Sequence, residues 1–223
     1  MTDTSARRGT LALSQIAHLS DRAVKRLIDV TVSLVALVFL SPLFLLVAVL
    51  VRCSGPGRAL FRQTRVGVDQ EPFVMYKFRT MHDGSDARLH QDYVLRLLAG
   101  SAEPEDGLYK LPNDPRVTRI GPILRRSSID ELPQLFNVLR GDMSLVGPRP
   151  CLPYELERLP PWATSRFDVR PGVTGLWQVS GRNRLTMVEG LRLDLEYVAR
   201  RNLWLDLVIL VRTVRAVLEG GAR

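Results

Sequence analysis

The chain is poor in the residues that build most familiar sites. It has 2 cysteines, Cys53 and Cys151, far apart and in no metal or redox spacing. That excludes a zinc site built on cysteine and a disulfide framework, and both residues read as reduced cytoplasmic thiols. Aromatic residues make up only 7%. With no zinc-finger spacing and no RNA-binding aromatic signature, nucleic acid is not the expected partner. The 3 histidines, His18, His82 and His90, are scattered and read as structural or solvated side chains. There is no G-x-x-x-x-G-K-[ST], no G-x-G-x-x-G and no H-E-x-x-H, which excludes a P-loop, a dinucleotide fingerprint and a zincin site. Strict Asp-x-Asp, internal repeats and low-complexity segments are missing as well.

What the chain does have is a run of 22 residues, Val30–Val51, without a single charge. As a helix it would be about 33 Å long, enough for a hydrocarbon core of about 30 Å. The chain therefore belongs to a membrane. Ser41 and Pro42 sit at the centre of the run. Pro42 has no N–H for the Val38 carbonyl and its ring clashes there, so a kink or break is expected. Basic residues flank both ends: Arg7, Arg8, Arg22, Lys25 and Arg26 before, Arg52, Arg58, Arg62 and Arg65 after. A spanning helix is normally oriented by an imbalance of Lys and Arg, and here the two sides nearly match. Two readings fit the residues equally. One is a spanning helix with a tolerated kink; the other is a pair of half-helices that enter and return on one face. A secretory signal peptide does not fit, because the run is too long and no A-x-A site follows.

The net charge is +8, which at a membrane fits anionic headgroups or an anionic substrate. About 170 residues follow the apolar run, enough for one compact domain. Residues 1–20 read as a poorly ordered arm. Ser54-Gly55-Pro56-Gly57 is a turn. ALFRQTRVG and FVMYKFRTM, separated by VDQEP, read as a small β-hairpin. Helices are expected over 85–99, 117–126, 186–200 and 203–218, with a loop at AEPEDG. A further helix fits Ile129–Leu139, with Ser127 or Ser128 as N-cap and Glu131 completing a capping box. VGPRP and RPG mark tight loops. The sixteen residues 203–218 carry internal charges and are too short to span, so they are expected in the interface or packed on the membrane segment.

The chemistry concentrates between Asp114 and Pro150. Asp130 and Glu131 are adjacent acids. Arg116, Arg119, Arg125 and Arg126 lie upstream, Arg140 and Arg149 downstream. Adjacent carboxylates among arginines suit metal-assisted phosphoryl transfer: one acid attacks phosphorus and another holds Mg2+ or moves a proton. Guanidinium forks neutralise phosphate oxygens bidentately. The same spacing also fits two acids that only cap a helix and pair with surface arginines. Lys77 and Arg79 likewise fit a solvated strand edge. Arg119, Arg126 and Arg140 read as surface or headgroup contacts. Asn137 and Asp142 read as capping or orienting residues outside the core assignment. Trp177 fits either a sugar or base contact or an interfacial anchor, and Trp204 likewise.

These residues carry a resemblance. KRLIDV (25–30), the apolar run with Ser41-Pro42, SGPGRALFRQTRVG (54–67), YKFRTM (76–81), the block from Asp114 to Pro150 with IDELPQL and SLVGPRP, RPGVTGLWQVSGRN (170–183) and LEYVARRNLWLDLVILVRTV (195–214) occur in that order. Over residues 22–218 the chain resembles the bacterial sugar transferases, the monotopic polyprenyl-phosphate hexose-1-phosphate transferases, in their minimal catalytic-domain form.

The resemblance implies transfer of a sugar-1-phosphate from a UDP-sugar to polyprenyl phosphate, with release of UMP, to start a membrane glycan. It implies Asp130 as nucleophile, Glu131 as its assistant, and Mg2+ held by both. Arg116, Arg125 and Arg149 would hold phosphates or the nucleotide, with Lys77 and Arg79 also in the site. It resolves the topology toward re-entrant, on the cytoplasmic face of the bacterial inner membrane. The expected fold is mainly α with a small β-hairpin. The expected divisions are a flexible arm (1–21), a re-entrant helix broken at Ser41-Pro42 (22–53), a cytoplasmic catalytic domain (54–200) and an interfacial amphipathic helix (201–223). The sugar, the carrier length, the glycan and a homo-oligomeric state are left open. Two non-catalytic readings compete: a single-pass basic scaffold and a membrane-tethered nucleic-acid binder.

Overall fold

The computed structural model describes residues 3–82, 84, 92, 114, 116–181 and 185–218, with side chains from Asp21 onward. The helix expected over 85–99 and the AEPEDG loop lie outside the described residues. Helix α1 runs Asp3–Phe39, so the backbone of the expected arm is drawn into it, and α2 runs Ser41–Cys53. The two are bent by 64° at the break.

The break falls at Leu40, which leaves the helix at φ −87°, ψ 0°. Pro42 therefore sits in the first turn of α2, where a missing N–H does no harm. The Ser41 hydroxyl donates to the Val38 carbonyl at 2.8 Å, tightening the end of α1. Among the described residues no single helix is long and apolar enough to cross a membrane. Asp21–Phe39 and Ser41–Cys53 meet that test only together, by length and composition. Much of their apolar surface is uncovered, with Phe39 79% and Leu45 69% exposed.

Strands β1 (Leu60–Val66) and β2 (Pro72–Phe78) form the expected hairpin, antiparallel, with Leu60 opposite Phe78 and Val66 opposite Pro72. Asp69 and Gln70 at the turn take φ of 53° and 63°, the left-handed pair that matches strand twist. The free edge of β2 is closed by a side chain rather than a strand. Asn137, fully buried, accepts from the Tyr76 N–H at 3.0 Å and donates to the Val74 carbonyl at 2.6 Å.

Helix α3 is shorter than expected, Gly121–Arg126. The helix predicted over Ile129–Leu139 is split: Ile129–Glu131 is a 3-10 turn, and α4 spans Gln134–Arg140. The predicted capping box does not form. Ser128 sits at φ 56° and makes no side-chain cap bond, and Pro133 has no N–H with which to continue a helix from Ile129. Gly141, at φ 93°, ends α4 as a left-handed C-cap.

Two short strands were not foreseen. β3 (Ser144–Val146) and β4 (Gly172–Thr174) pair in parallel, β3 running into the expected VGPRP loop at Val146 and β4 leaving the expected RPG loop at Gly172. They approach so closely that a Cβ on Gly172 would lie 2.1 Å from the Gly147 nitrogen. After α5 (Pro153–Leu156), a 3-10 segment (Pro161–Phe167) and α6 (Leu176–Ser180) come the two expected long helices. These are α7 (Met187–Arg200), with a Thr186–Glu189 capping box, and α8 (Leu203–Leu218).

The main core gathers Met75, Val138, Met143, Val146, Tyr197 and Ile209. A second cluster, Val47, Val51, Phe78 and Leu124, seats α2 against β2 and α3. Polar bonds tie α1 to the elements around the main core. Arg26 donates to the Val138 and Leu139 carbonyls, satisfying the end of α4, and Asp29 accepts from Ser144 and from the Leu145 N–H. Lys25 pairs with Asp206 of α8 at 2.6 Å. The inner side of α8 thus carries a buried acid, while Trp204, Leu207, Val211, Val214 and Leu218 face outward. Ile209 also points inward, into the main core, so α8 is apolar on both sides, with Arg212 and Arg215 interrupting its exposed one.

Candidate active site

The turn Ile129–Glu131 holds the two acids. Asp130 is buried, 8% exposed. Glu131 accepts from the Lys77 ammonium at 2.8 Å, so the turn is fastened to β2. Beyond β2 the chain pairs with residues 116–118: Thr118 N–H reaches the Thr80 carbonyl at 3.0 Å and His82 N–H reaches that of Arg116 at 2.7 Å. This brings Arg125 to Asp130, with Arg116 and Asp114 close by Arg125. Arg125, in the last turn of α3, donates from Nε to the Thr80 hydroxyl at 3.0 Å. Burial lowers its pKa, and the facing charges of Asp130 and Asp114 work against that shift. Arg116 forms a fork on Asp114, Nε to Oδ1 at 2.8 Å and Nη2 to Oδ2 at 2.7 Å. That hydrogen bonding holds the Asp114 carboxyl below its ordinary range despite some desolvation.

Lys77, Arg116, Arg125, Asp130 and Glu131 are thus one constellation. Arg79 does something else. Its buried guanidinium donates to the carbonyls of Val51, Gly55 and Pro56, clamping the end of α2 and the SGPG turn. Arg119, Arg126 and Arg140 are exposed, as expected of surface residues. Arg149 lies in a second charged group, at 3.5 Å from Glu155 and with its guanidinium 6.0 Å from the Trp177 ring. Trp177 is not an interfacial anchor: it is buried with Ala163, Met187 and Leu191, against α7, where Gly190 leaves room for the indole. Trp204 is 72% exposed and keeps that reading.

Among the described residues no group of three or more His, Cys, Asp or Glu could hold a metal ion. The Asp130–Glu131 pair nevertheless fits Mg2+, which takes one or two carboxylates and completes its shell with water and substrate phosphate. Sequence reasoning missed Thr80 and Asp114 as partners of the arginines, although both stand in the blocks it singled out. It also missed Arg65, Glu155, Arg166 and Asp194, which form the buried surroundings of Arg149; burial of lone charges leaves no local pattern.

The profile of the bacterial sugar transferase family matches residues 20–220, and the chain belongs to that family. It is 44% identical over 193 residues to the exopolysaccharide production protein ExoY of Rhizobium meliloti, covering 86% of this chain and 84% of that protein. Identity is also 44%, over 206 residues, with the UDP-glucose:undecaprenyl-phosphate glucose-1-phosphate transferase of Caulobacter vibrioides, covering 87% of this chain and 69% of the relative. The undecaprenyl-phosphate galactose phosphotransferase of Salmonella typhimurium is 43% identical over 210 residues, 92% of this chain but 43% of that protein. The chain thus spans most of some relatives and less than half of others.

Proposed function

We propose that the protein transfers a sugar-1-phosphate from a UDP-sugar to polyprenyl phosphate, giving polyprenyl-diphosphate sugar and UMP, through a covalent intermediate on Asp130. The observation that supports it most is the buried Asp130 beside Arg125, with Glu131 fastened to Lys77. A carboxylate taken out of bulk water can attack the phosphorus of a diphosphate when nearby guanidiniums offset the diphosphate's charge.

A carboxylate oxygen of Asp130 attacks the phosphorus that bears the sugar. The bond from that phosphorus to the bridging oxygen breaks, and UMP leaves. A phosphate oxygen of the polyprenyl carrier then attacks the same phosphorus, and Asp130 leaves as a free carboxylate. Glu131 takes any proton still on the carrier phosphate, and Lys77 keeps it oriented. Arg116 and Arg125 hold phosphate oxygens, and Arg149 holds phosphate or nucleotide. Mg2+, on Asp130 and Glu131, would neutralise the diphosphate.

We read α1 and α2 as a re-entrant pair on the cytoplasmic face of the bacterial inner membrane. The 64° bend, the basic residues at both ends and the outward apolar face of α8 support this. The site then stands at the interface, where a lipid phosphate and a water-soluble nucleotide sugar meet. The test is a UMP-release screen across UDP-sugars with polyprenyl phosphate and Mg2+. Release with none of them would remove the proposal.

A further inference from the structure

The segment Gly147–Cys151 is held at every residue. Gly147 N–H donates to the Thr174 carbonyl, and the Pro148 carbonyl accepts from Gly172 N–H, both at 2.9 Å. On the other side three successive carbonyls are taken. Arg149 receives Arg166 Nη2 at 2.8 Å, Pro150 receives Arg65 Nη1 at 3.0 Å, and Cys151 receives Val66 N–H at 2.8 Å. Two of the three donors are buried guanidiniums: Arg65 is 8% and Arg166 5% exposed. Each has its own orienting partner. Arg166 Nη2 also reaches Asp194 Oδ2 at 2.6 Å, and Arg65 grips the Gln63 side chain at 2.7 and 3.1 Å.

Stability alone does not explain this arrangement. Buried ion pairs are often replaceable by apolar residues without loss. Desolvation, followed by the nearby charge of Arg149, brings the Arg65 pKa down to about 10. Fixing two adjacent carbonyls from opposite arginines does have a geometric result. With φ locked at Pro148 and Pro150, it leaves Arg149 one backbone placement, from which its side chain passes Trp177 toward Glu155.

We infer that Arg166 and Arg65 are positioning residues for Arg149, holding its backbone so that its guanidinium meets the substrate's phosphates or nucleotide, with Asp194 orienting Arg166. The inference rests on the role given to Arg149 above.

The experiment is a double-mutant cycle in the purified, detergent-solubilised full chain, read as kcat/KM for the UDP-sugar alongside the melting temperature. Arg149→Lys and Arg166→Lys are each expected to lower kcat/KM by about tenfold or more: the first replaces a planar guanidinium by a point charge, and the second leaves an ammonium one bond short of Nη2, the atom that holds both the Arg149 carbonyl and Asp194. The combined variant is expected to fall within about twofold of Arg149→Lys alone, because Arg166 acts through Arg149. Asp194→Asn, which keeps an acceptor for Arg166, is expected to recover most of the activity. Penalties that multiply in the double variant would overturn the inference and leave the role of Arg149 standing. If Arg149→Lys had no effect, the role of Arg149 would fail and the inference with it. UMP exchange through Asp130 tests the transfer reaction apart from both. If Arg166→Lys does not fold, Arg65→Lys carries the same cycle with the same two outcomes.

Discussion

Asn137→Ala should loosen the hairpin from α4 and lower the stability of the whole domain. The side chain is fully buried and makes three bonds, to Tyr76 N–H (3.0 Å), the Val74 carbonyl (2.6 Å) and Asp142 Oδ2 (3.1 Å). Alanine leaves two backbone groups on β2 unpaired. Each buried orphan costs about 1–3 kcal/mol, so the total is about 2–6 kcal/mol. For a chain of this size that lowers the melting temperature by about 4 °C at the least and by more than 10 °C toward the upper end. Asn137→Asp is the sharper variant. It keeps the acceptor for Tyr76 but sets an oxygen against the Val74 carbonyl and a second carboxylate against Asp142. It should be at least as destabilising as alanine at neutral pH and recover on mild acidification, when one acid takes up a proton. Thermal unfolding in detergent at pH 5 and pH 8 separates the two. If Asn137→Ala melts within about 2 °C of the parent, the side chain is not what closes the edge of β2, and the reasoning fails.

Lys77→Met should reduce turnover by more than tenfold while moving the melting temperature little, since a half-exposed ion pair contributes about 1 kcal/mol or less; steady-state UMP release decides, and unchanged turnover would remove Lys77 from the site. A thiol reagent at pH 8 should label the folded protein at Cys53 only, because burial pushes the Cys151 thiol up to about 12; intact mass counts the labels, and two at native conditions would contradict the buried position of Cys151. Ser41→Ala with Pro42→Ala should let some molecules adopt a spanning form. A cysteine at Thr4, with Cys53 and Cys151 removed, is then shielded from an impermeant reagent in the parent and labelled in the variant. Labelling of the parent would refute the re-entrant reading.

The long periodic and apolar elements were legible because their signals are local. The uncharged run, the proline at its centre, the hairpin and the helices α7 and α8 all stand close to where residue patterns put them. Around Asp130 the sequence put acids and arginines in one block, and the fold keeps Asp130, Glu131, Arg116 and Arg125 together. The backbone there was misread: Pro133 was a local signal against one continuous helix, whereas the left-handed Ser128 leaves no mark in the sequence. Strands β3 and β4 are three residues each and lie among prolines, so no alternation marks them; their pairing is a long-range event. Arg79 shows the same limit from the other side. Its motif placed it beside Lys77, and the fold turned its guanidinium onto the carbonyls that end α2. Side chains that satisfy backbone groups far away in sequence, such as Asn137, Arg65 and Arg166, give no sign of that role until the fold brings the groups together.

The most direct test of the central claim is the first half-reaction alone. The protein is incubated with UDP-sugar and Mg2+ but no polyprenyl phosphate, and both the intact mass and the exchange of labelled UMP into UDP-sugar are followed. Transfer through Asp130 predicts exchange without lipid, a mass gain of one sugar phosphate that maps to the peptide carrying Asp130, and loss of both in Asp130→Asn. Exchange that requires the lipid acceptor, or substantial turnover by Asp130→Asn, would contradict it.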